Sequence, residues 1–252
     1  MQRKVWILAL AGAAAFLGLS SFHFVKRVVA QNREWVPFQV AMVEREYRAV
    51  TEAPIRSQSY LFARRGDGSS VKSMPMQIMA KGGWANQRII EDFAAHRRTS
   101  LDPATESLTT YRYSSQVAGR LSAPPGLCSD DPQAAHLQIL GYDTVLVTHT
   151  APSPGAGIEV KQWQAAQLNC FVLKEEATNP DGPWTITREA LLVSQGPPPA
   201  SLFEIPAGYV ERSPSEVMAE RARRFPDESG ASTLGDAWNF SALDEVYRTS
   251  GK

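Results

Sequence analysis

The stretch that decides the fold class is IRSQSYLFARRGDGSSVKSMPMQIMA, from Ile55 to Ala80. Its centre, Gly66-Asp67-Gly68-Ser69, is a turn whose glycines tolerate positive φ. The arms, Ile55 to Arg65 and Val71 to Ala80, lead into and out of this turn. We therefore predict a β-hairpin here, the clearest one in the chain.

Apolar side chains recur with a period of two on both arms of the hairpin. Met74, Met76 and Ile78 share one face of the second arm, and Tyr60 and Phe62 share one face of the first. Because methionine adapts to irregular apolar shapes, we predict that these residues line a pocket for an acyl chain or another hydrophobic ligand. Ordinary core packing would produce the same pattern.

Segments on both sides of the hairpin also have the composition or alternation of strands. From Asp143 to Thr150, valines occupy one face and threonines the other, which is typical of antiparallel strands that bury one face. The sequence therefore predicts a mainly β (α+β) fold built on a sequential, strongly curved sheet. For the segment that begins at Phe38, a helix that runs towards Ala53 is the alternative to a strand. The other predicted strands are Phe38 to Tyr47, Asn86 to Phe93, Glu106 to Tyr113, Ile158 to Trp163, Phe171 to Ala177 and Trp184 to Val193.

Two helices are predicted near the C-terminus. Ser213 to Glu216 has the pattern of a capping box, with proline at the first helical position. Met218, Ala222 and Phe225 would then share one face of the helix, and Pro226 would end it. A second helix is predicted to begin at Ser241.

The N-terminus carries an uncharged run from Val5 to Val25, preceded by Arg3 and Lys4. At 1.5 Å per residue this run is long enough to cross a bilayer as a helix. Residues 1–30 are therefore predicted to be a signal peptide or an uncleaved transmembrane anchor, with the membrane contacted through residues 5–25. Both alternatives make the protein periplasmic, either released after signal cleavage or anchored in the inner membrane.

Composition is consistent with one exported domain. Residues 31–252 carry 22 basic and 26 acidic side chains, a net charge of −4. A mildly acidic domain without a basic stripe has no electrostatic attraction to nucleic acid, so nucleic acid is excluded as a partner. We expect a β domain over residues 31–212 and a helical tail over residues 213–252.

The exported portion contains two cysteines, Cys128 and Cys170. Outside the cytoplasm an even pair favours a disulfide, which would stabilise the chain by about 4 kcal/mol on the chain-entropy account. Two buried, unpaired thiols are the alternative.

No motif specific to a reaction is present. His96, His136 and His149 are too far apart in the sequence for metal-ligand spacing, and no nucleophile elbow, phosphate-binding glycine loop or zinc-protease motif occurs. The sequence therefore predicts no catalytic residues, no metal and no cofactor, and a protein that is not an enzyme.

The run from Gly196 to Glu216 resembles the C-terminal signature of uncharacterised exported proteins typical of acidobacteria, a "P-x-x-x-L-F-x-I-P-x-G-Y" pattern followed by a Ser-Pro helix start. Weaker matches are an "R-x-D-G-S" hairpin at Arg64 to Ser69, a "D-P" hairpin at Asp102-Pro103, "L-G-Y-x-T" at Leu140 to Thr144, and a segment from Trp163 to Cys170. The resemblance touches most of residues 38–216.

Such proteins look like distant relatives of the outer-membrane lipoprotein-carrier half-barrel. The resemblance implies a curved antiparallel sheet that is covered by helices and holds acyl chains on its concave face. The first hypothesis for function is thus a non-enzymatic envelope protein that binds a lipid, a lipoprotein or another hydrophobic ligand. The alternative is an inner-membrane-anchored interaction or sensor module that contacts another envelope protein through the tail around Trp238 to Tyr247.

Overall fold

The structure, a computed structural model, describes residues 34–48, 53–78, 83–121, 124–126, 128–129, 131, 133–151, 157–179, 182 and 184–226. The predicted leader, the helix predicted at Ser241 and the tail around Trp238 to Tyr247 lie outside the described residues. Within the described part of the chain, no helix is both long enough and apolar enough to span a bilayer.

The described residues form a mainly β fold, as predicted, with few and short helices. The α-helices are α1 (Ser115–Leu121) and α2 (Pro214–Arg224). The strands are β1 (Phe38–Arg48), β2 (Arg56–Arg64), β3 (Ser70–Ile78), β4 (Gly83–Asp92), β5 (Arg97–Asp102), β6 (Ser107–Arg112), β7 (His136–Ile139), β8 (Tyr142–Ala151), β9 (Ile158–Ala165), β10 (Phe171–Thr178), β11 (Trp184–Gln195) and β12 (Val210–Glu211).

All of these strands belong to one large, curved, open sheet with the order β12-β6-β5-β4-β3-β2-β1-β11-β10-β9-β8-β7. It consists of two antiparallel meanders, β1 to β6 and β7 to β11, joined where β11 pairs with β1. The prediction of a sequential sheet is therefore wrong at two places. After β6 the chain passes to the far edge, and β12 returns to pair with β6 in parallel. Alternation specifies which face a residue occupies, but it does not specify which strands are neighbours.

The strand prediction for Phe38 to Tyr47 is confirmed, and the helical alternative is wrong. β1 pairs with β2 on one side and β11 on the other, so it lies in the middle of the sheet. A helix would leave both neighbouring strands without partners for their backbone groups. The predicted hairpin is also confirmed, since β2 and β3 flank a turn in which Arg65 N donates to Ser69 O at 2.9 Å.

Two apolar clusters lie on the sheet. The central cluster is built on β1, β9, β10 and β11 and contains Phe38, Val40, Met42, Ala165, Leu168, Leu173 and Ala190. The lateral cluster is built on β2 to β6 and contains Ala63, Val71, Ile90, Leu101 and Leu108.

The lateral cluster is covered by the segment that follows β11. Leu202, Phe203 and Tyr209 pack against it. Arg88 Nη1 donates to the backbone oxygens of Ser201 and Leu202, at 3.0 Å each, and holds the segment in place. The "L-F-x-I-P-x-G-Y" stretch thus closes one face of the sheet.

The predicted capping box is confirmed at α2. Ser213 caps the helix, and its backbone N donates to Glu216 Oε2 at 2.7 Å. The predicted apolar face is wrong in part, because Met218 is 48% exposed and Ala222 is exposed as well, whereas Val217 is buried at 1%. Phe225 does pack, against Ala104 in the turn between β5 and β6. The direction in which the helix docks on the sheet therefore selects Val217 rather than Met218.

Candidate functional site

A cavity of about 500 Å³ lies against β1, β2, β3, β10 and β11. Strand register explains why its lining residues share a face, since directly opposed residues of paired strands point to the same side. Met42 is opposite Tyr60, Val40 is opposite Phe62, and Phe62 is opposite Lys72. The lining residues are Trp35, Met42, Tyr60, Phe62, Arg64, Lys72, Pro125, Asn169, Cys170, Phe171, Val172, Glu175 and Arg188.

The five residues predicted to bind a hydrophobic ligand divide into three groups in the structure. Tyr60 and Phe62 both line the cavity. Met74 is half-buried and is not among the lining residues. The side chains of Met76 and Ile78 lie outside the described residues. The structure therefore places the first arm of the hairpin at the site and leaves the role of the second arm a prediction.

Three phenylalanine rings pack together as an aromatic wall, and two of them, Phe62 and Phe171, line the cavity. The ring centre of Phe171 lies 4.8 Å from that of Phe62 and 4.9 Å from that of Phe38, and the Phe38 and Phe62 rings are 5.9 Å apart. These separations are typical of favourable aromatic pairs. Phe62 and Phe171 therefore present apolar area to the cavity, and the buried Phe38 ring packs against both.

Arg64 lies beside this wall, at the end of β2. Its guanidinium carbon is 4.3 Å from the centre of the Trp35 ring, 5.5 Å from that of Phe38 and 5.4 Å from that of Phe62. Its Nε and Nη1 are buried and have no hydrogen-bond acceptor among the described residues. Burial lowers the pKa of Arg64 from its ordinary value to about 10, although the negative charge of Glu91 acts in the opposite direction.

A satisfied polar network borders the other end of the cavity. Arg188 on β11 donates to Glu44 Oε2 on β1 at 2.7 Å and to Glu175 on β10. Gln162 Nε2 donates to Glu175 Oε2 at 2.7 Å, and Gln164 continues the chain of hydrogen bonds to Gln162 at 3.0 Å.

The charges of this network shift two pKa values in opposite directions. Burial alone would raise the pKa of Glu44, but its hydrogen bond to Arg188 and the charge of Arg188 hold it below 4.5. Burial alone would lower the pKa of Arg188, but Glu175 and Glu44 raise it above its ordinary value. Glu44 and Arg188 are therefore both ionised at neutral pH, and their charges are paired with each other.

Lys72 and Tyr60 lie between Arg64 at one end of the cavity and the Arg188 network at the other. Lys72 Nζ is 4.1 Å from the centre of the Tyr60 ring, a cation–π distance. Burial lowers the pKa of Lys72 and raises that of Tyr60 to about 12. Tyr60 is thus a neutral phenol at physiological pH, and it offers both a ring face and a hydroxyl to the cavity.

The turn between β9 and β10 holds the loop side of the cavity. Asn169 and Cys170 both have positive φ, at 53° and 60°. The Asn169 side chain accepts from Val36 N at 2.6 Å and donates to Glu34 O at 3.2 Å, so it holds the segment that carries Trp35. Asparagine tolerates this conformation better than most residues do, which suits it to the position.

The predicted disulfide is confirmed between Cys128 and Cys170, with an S–S distance of 2.08 Å and Cα atoms 5.1 Å apart. It attaches the loop that contains Pro125 to the same turn. The turn between β9 and β10 therefore positions two loop walls of the cavity, Trp35 through Asn169 and Pro125 through Cys170.

The sequence reading missed several lining residues. Arg64 was assigned to the hairpin, although it shares the parity of Tyr60 and Phe62 and could have been found by that signal. Trp35 precedes the first strand and carries no periodic signal. Arg188 belongs to the alternating pattern of β11, which does not mark it as a site residue. Its carboxylate partners come from β1 and β10, and only the strand order reveals that these strands are its neighbours.

The histidines are placed away from the cavity. His136 Nδ1 lies 3.2 Å from Asp143 Oδ2, and both side chains are exposed. His96 lies in the turn before β5 with φ at 52°. Among the described residues there is no group of three or more metal-ligating side chains.

No family model and no curated protein matches the sequence. Several solved structures are similar. An uncharacterized conserved protein from Thermus thermophilus is 10% identical, with 77% of this chain and 99% of that chain covered and a TM-score of 0.46. A PNGF-II structure is 12% identical over 75% of this chain and 33% of that one, with a TM-score of 0.46.

A LolA superfamily protein from Nitrosomonas europaea is also similar. It is 14% identical, with 71% of this chain and 94% of that chain covered and a TM-score of 0.33. At these identities and TM-scores, the likenesses assign no activity to this chain.

Proposed function

We propose that this protein is a non-enzymatic protein of the cell envelope that binds the apolar part of a lipid, a lipoprotein or another hydrophobic ligand in the cavity of a half-barrel sheet. The observation that carries this proposal is the open cavity of about 500 Å³ with the stacked rings of Phe62 and Phe171 in its lining. Its volume lies within the range of roughly 300 to 1,000 Å³ that is typical of small-molecule sites.

The contrast with the lateral cluster supports this assignment. There the chain covers its own apolar surface with Leu202, Phe203 and Tyr209. At the cavity, by comparison, a ligand can still remove apolar area from water, which contributes roughly 25 cal/mol per Å². Burying about 200 Å² would contribute about 5 kcal/mol before the costs of association.

The disulfide supports an extracytoplasmic location, because such bonds persist in oxidising compartments. We propose that residues 1–30 direct the chain there, as a cleaved signal or as an inner-membrane anchor. The division into a leader, a sheet domain over residues 31–212 and a tail over residues 213–252 stays a prediction. Contact between the tail and an envelope partner also stays a prediction.

The direct test is native mass spectrometry of the purified full chain, combined with lipid extraction. We expect a retained acyl species. A matched pair of variants tests the location of binding. Val172→Trp would fill the cavity from its lining, whereas Leu192→Trp adds the same ring on β11 at a residue that is 66% exposed.

We expect Val172→Trp to lose most of the retained lipid and Leu192→Trp to keep it, with both variants folded by circular dichroism. Equal lipid content in the two variants would place binding elsewhere. Absence of any acyl species from the native protein, together with no binding of an added hydrophobic dye, would end the proposal.

A further inference from the structure

Among the described residues, Arg64 is a cavity-lining side chain with two buried donors that lack a hydrogen-bond acceptor. Its Nε and Nη1 are buried among the rings of Trp35, Phe38 and Phe62, and no acceptor reaches them among the described residues. A buried donor without an acceptor costs free energy, and more so when it is charged. Cation–π contact offsets only part of this cost.

The other two cations at the cavity are Arg188, which has carboxylate partners, and Lys72, which lies over an aromatic ring as Arg64 does. Arg188 contacts two carboxylates, Glu44 and Glu175, and Lys72 lies over the Tyr60 ring. Three cations therefore face two carboxylates, which leaves one positive charge in excess. Glu91, whose charge acts on Arg64, is engaged elsewhere, since its oxygens lie 3.3 Å from Tyr113 Oη and 3.5 Å from Ser70 Oγ.

The order of side chains along β2 places the charge of Arg64 at one end of the cavity and the apolar rings next to it. Arg64, Phe62 and Tyr60 follow one another on the same face, and alternate residues of a strand are spaced by about 6.6 Å. Phe62 stacks on Phe171 directly beside the guanidinium. A ligand that uses both features has an anionic group at one end and an apolar chain at the other.

We propose that the ligand is a single-chain anionic amphiphile whose carboxylate or phosphate is bound by Arg64 while its chain lies along Phe62 and Phe171. The inference rests on the proposed function and deepens it. Arginine suits both head groups, because its planar array of donors matches the oxygens of carboxylates and phosphates. An uncharged alcohol of equal length offers Arg64 a neutral acceptor at most and leaves its positive charge unpaired.

The test measures displacement of the neutral dye Nile red from the purified full chain, below the micelle concentration of each competitor. The competitors are laurate, dodecyl phosphate and dodecanol, which share one chain length and differ in the head group. We expect at least one of the anions to bind about tenfold or more tightly than dodecanol, since hydrogen bonds to charged groups are the stronger class. The order of laurate and dodecyl phosphate identifies the head group.

Arg64→Gln should abolish this preference and change dodecanol binding by less than about threefold. Arg64→Lys keeps the charge and should restore part of the preference. Arg56→Gln is the matched control on the same strand, because Arg56 is exposed and does not line the cavity. It should leave the preference unchanged.

Equal affinity of the wild-type protein for all three competitors would overturn the inference while leaving hydrophobic binding intact. So would an equal loss of all three in Arg64→Gln. If neither Nile red nor any competitor binds the wild-type protein, the proposed function fails and the inference fails with it. The wild-type comparison decides the matter even where Arg64→Gln does not fold.

Discussion

The lateral cluster and the cavity share two strands, β2 and β3, yet one is filled and the other is open. On β2 and β3, Ala63 and Val71 point to the lateral cluster, whereas Phe62 and Lys72 point to the cavity. Adjacent residues of a strand face opposite sides, so each strand contributes to both.

The difference between the two faces comes from what covers them. Small side chains at Ala63 and Val71, each 0% exposed, let the segment of Leu202, Phe203 and Tyr209 approach closely. On the other face, aromatic and cationic side chains of the sheet and the loops of Trp35 and Pro125 surround a hollow. The alternation along β2 and β3 thus creates two faces that carry apolar side chains. The face that is covered by the chain becomes part of the core, and the face that is left open becomes the cavity.

The largest effect on stability should come from removing the disulfide that holds the loop of Pro125 at the cavity. Replacing Cys128 and Cys170 by serine removes a bond that spans 42 residues, which should lower the free energy of unfolding by about 4 kcal/mol. Nile red binding should weaken as well, because the wall at Pro125 is released. Guanidinium unfolding with and without reductant measures the first effect in the wild-type protein, and equal midpoints would contradict it.

A matched pair of truncations compares the two faces directly. Val71→Ala opens a void in the filled cluster and should cost about 2 kcal/mol, whereas Val172→Ala enlarges an existing cavity and should cost less than about 1 kcal/mol. Urea unfolding measures both values. A cost for Val172→Ala equal to that of Val71→Ala would mean that the cavity side is packed as tightly as the core.

A pair of glycine variants tests how firmly Trp35 is held at the cavity. Gly68 and Gly141 both have positive φ, at 88° and 84°, so alanine strains the backbone at each. A Cβ at Gly68 would overlap the Trp35 ring, whereas a Cβ at Gly141 meets nothing within 4 Å. Gly68→Ala should therefore cost about 1 kcal/mol more than Gly141→Ala and should alter dye binding, which Gly141→Ala should not. Equal costs would show that Trp35 is free to move.

The smallest effect should come from the polar wall of the cavity. The pKa of Glu44 is held below 4.5 in the folded protein, so its ionised form adds stability above pH 4.5 that is lost as the pH falls through the folded value. Glu44→Gln should thus cost about 1 kcal/mol at neutral pH, and the cost should shrink as the pH falls below 4.5. Unfolding of both proteins across this pH range measures the difference, and a constant difference would contradict the prediction.

Much of the local structure could be read from the sequence. The hairpin of β2 and β3, the strand β1 and the cap of α2 at Ser213 rest on short-range patterns, and each is confirmed. The disulfide followed from an even pair of cysteines in a chain predicted to be exported. β7, β12 and α1 are short and lack such patterns, so they were missed.

The site could be read only in part. Tyr60 and Phe62 were predicted from parity, and the same signal extends to Arg64. The partners of Arg64 and Arg188 come from β1, β10 and the segment before β1, far away in the sequence. No local pattern encodes such distances.

The amino-acid sequence by itself determined the class of the fold, because alternation and turn residues act over a few neighbouring positions. Only the tertiary structure decided that β11 pairs with β1 and that Asn169 and Cys170 hold the loop walls of the cavity. It also decided that Arg188 has carboxylate partners whereas the buried donors of Arg64 have none among the described residues. The physical reason is that pairing and covering depend on contacts between distant segments, whose free energy is gained only once the whole sheet has formed.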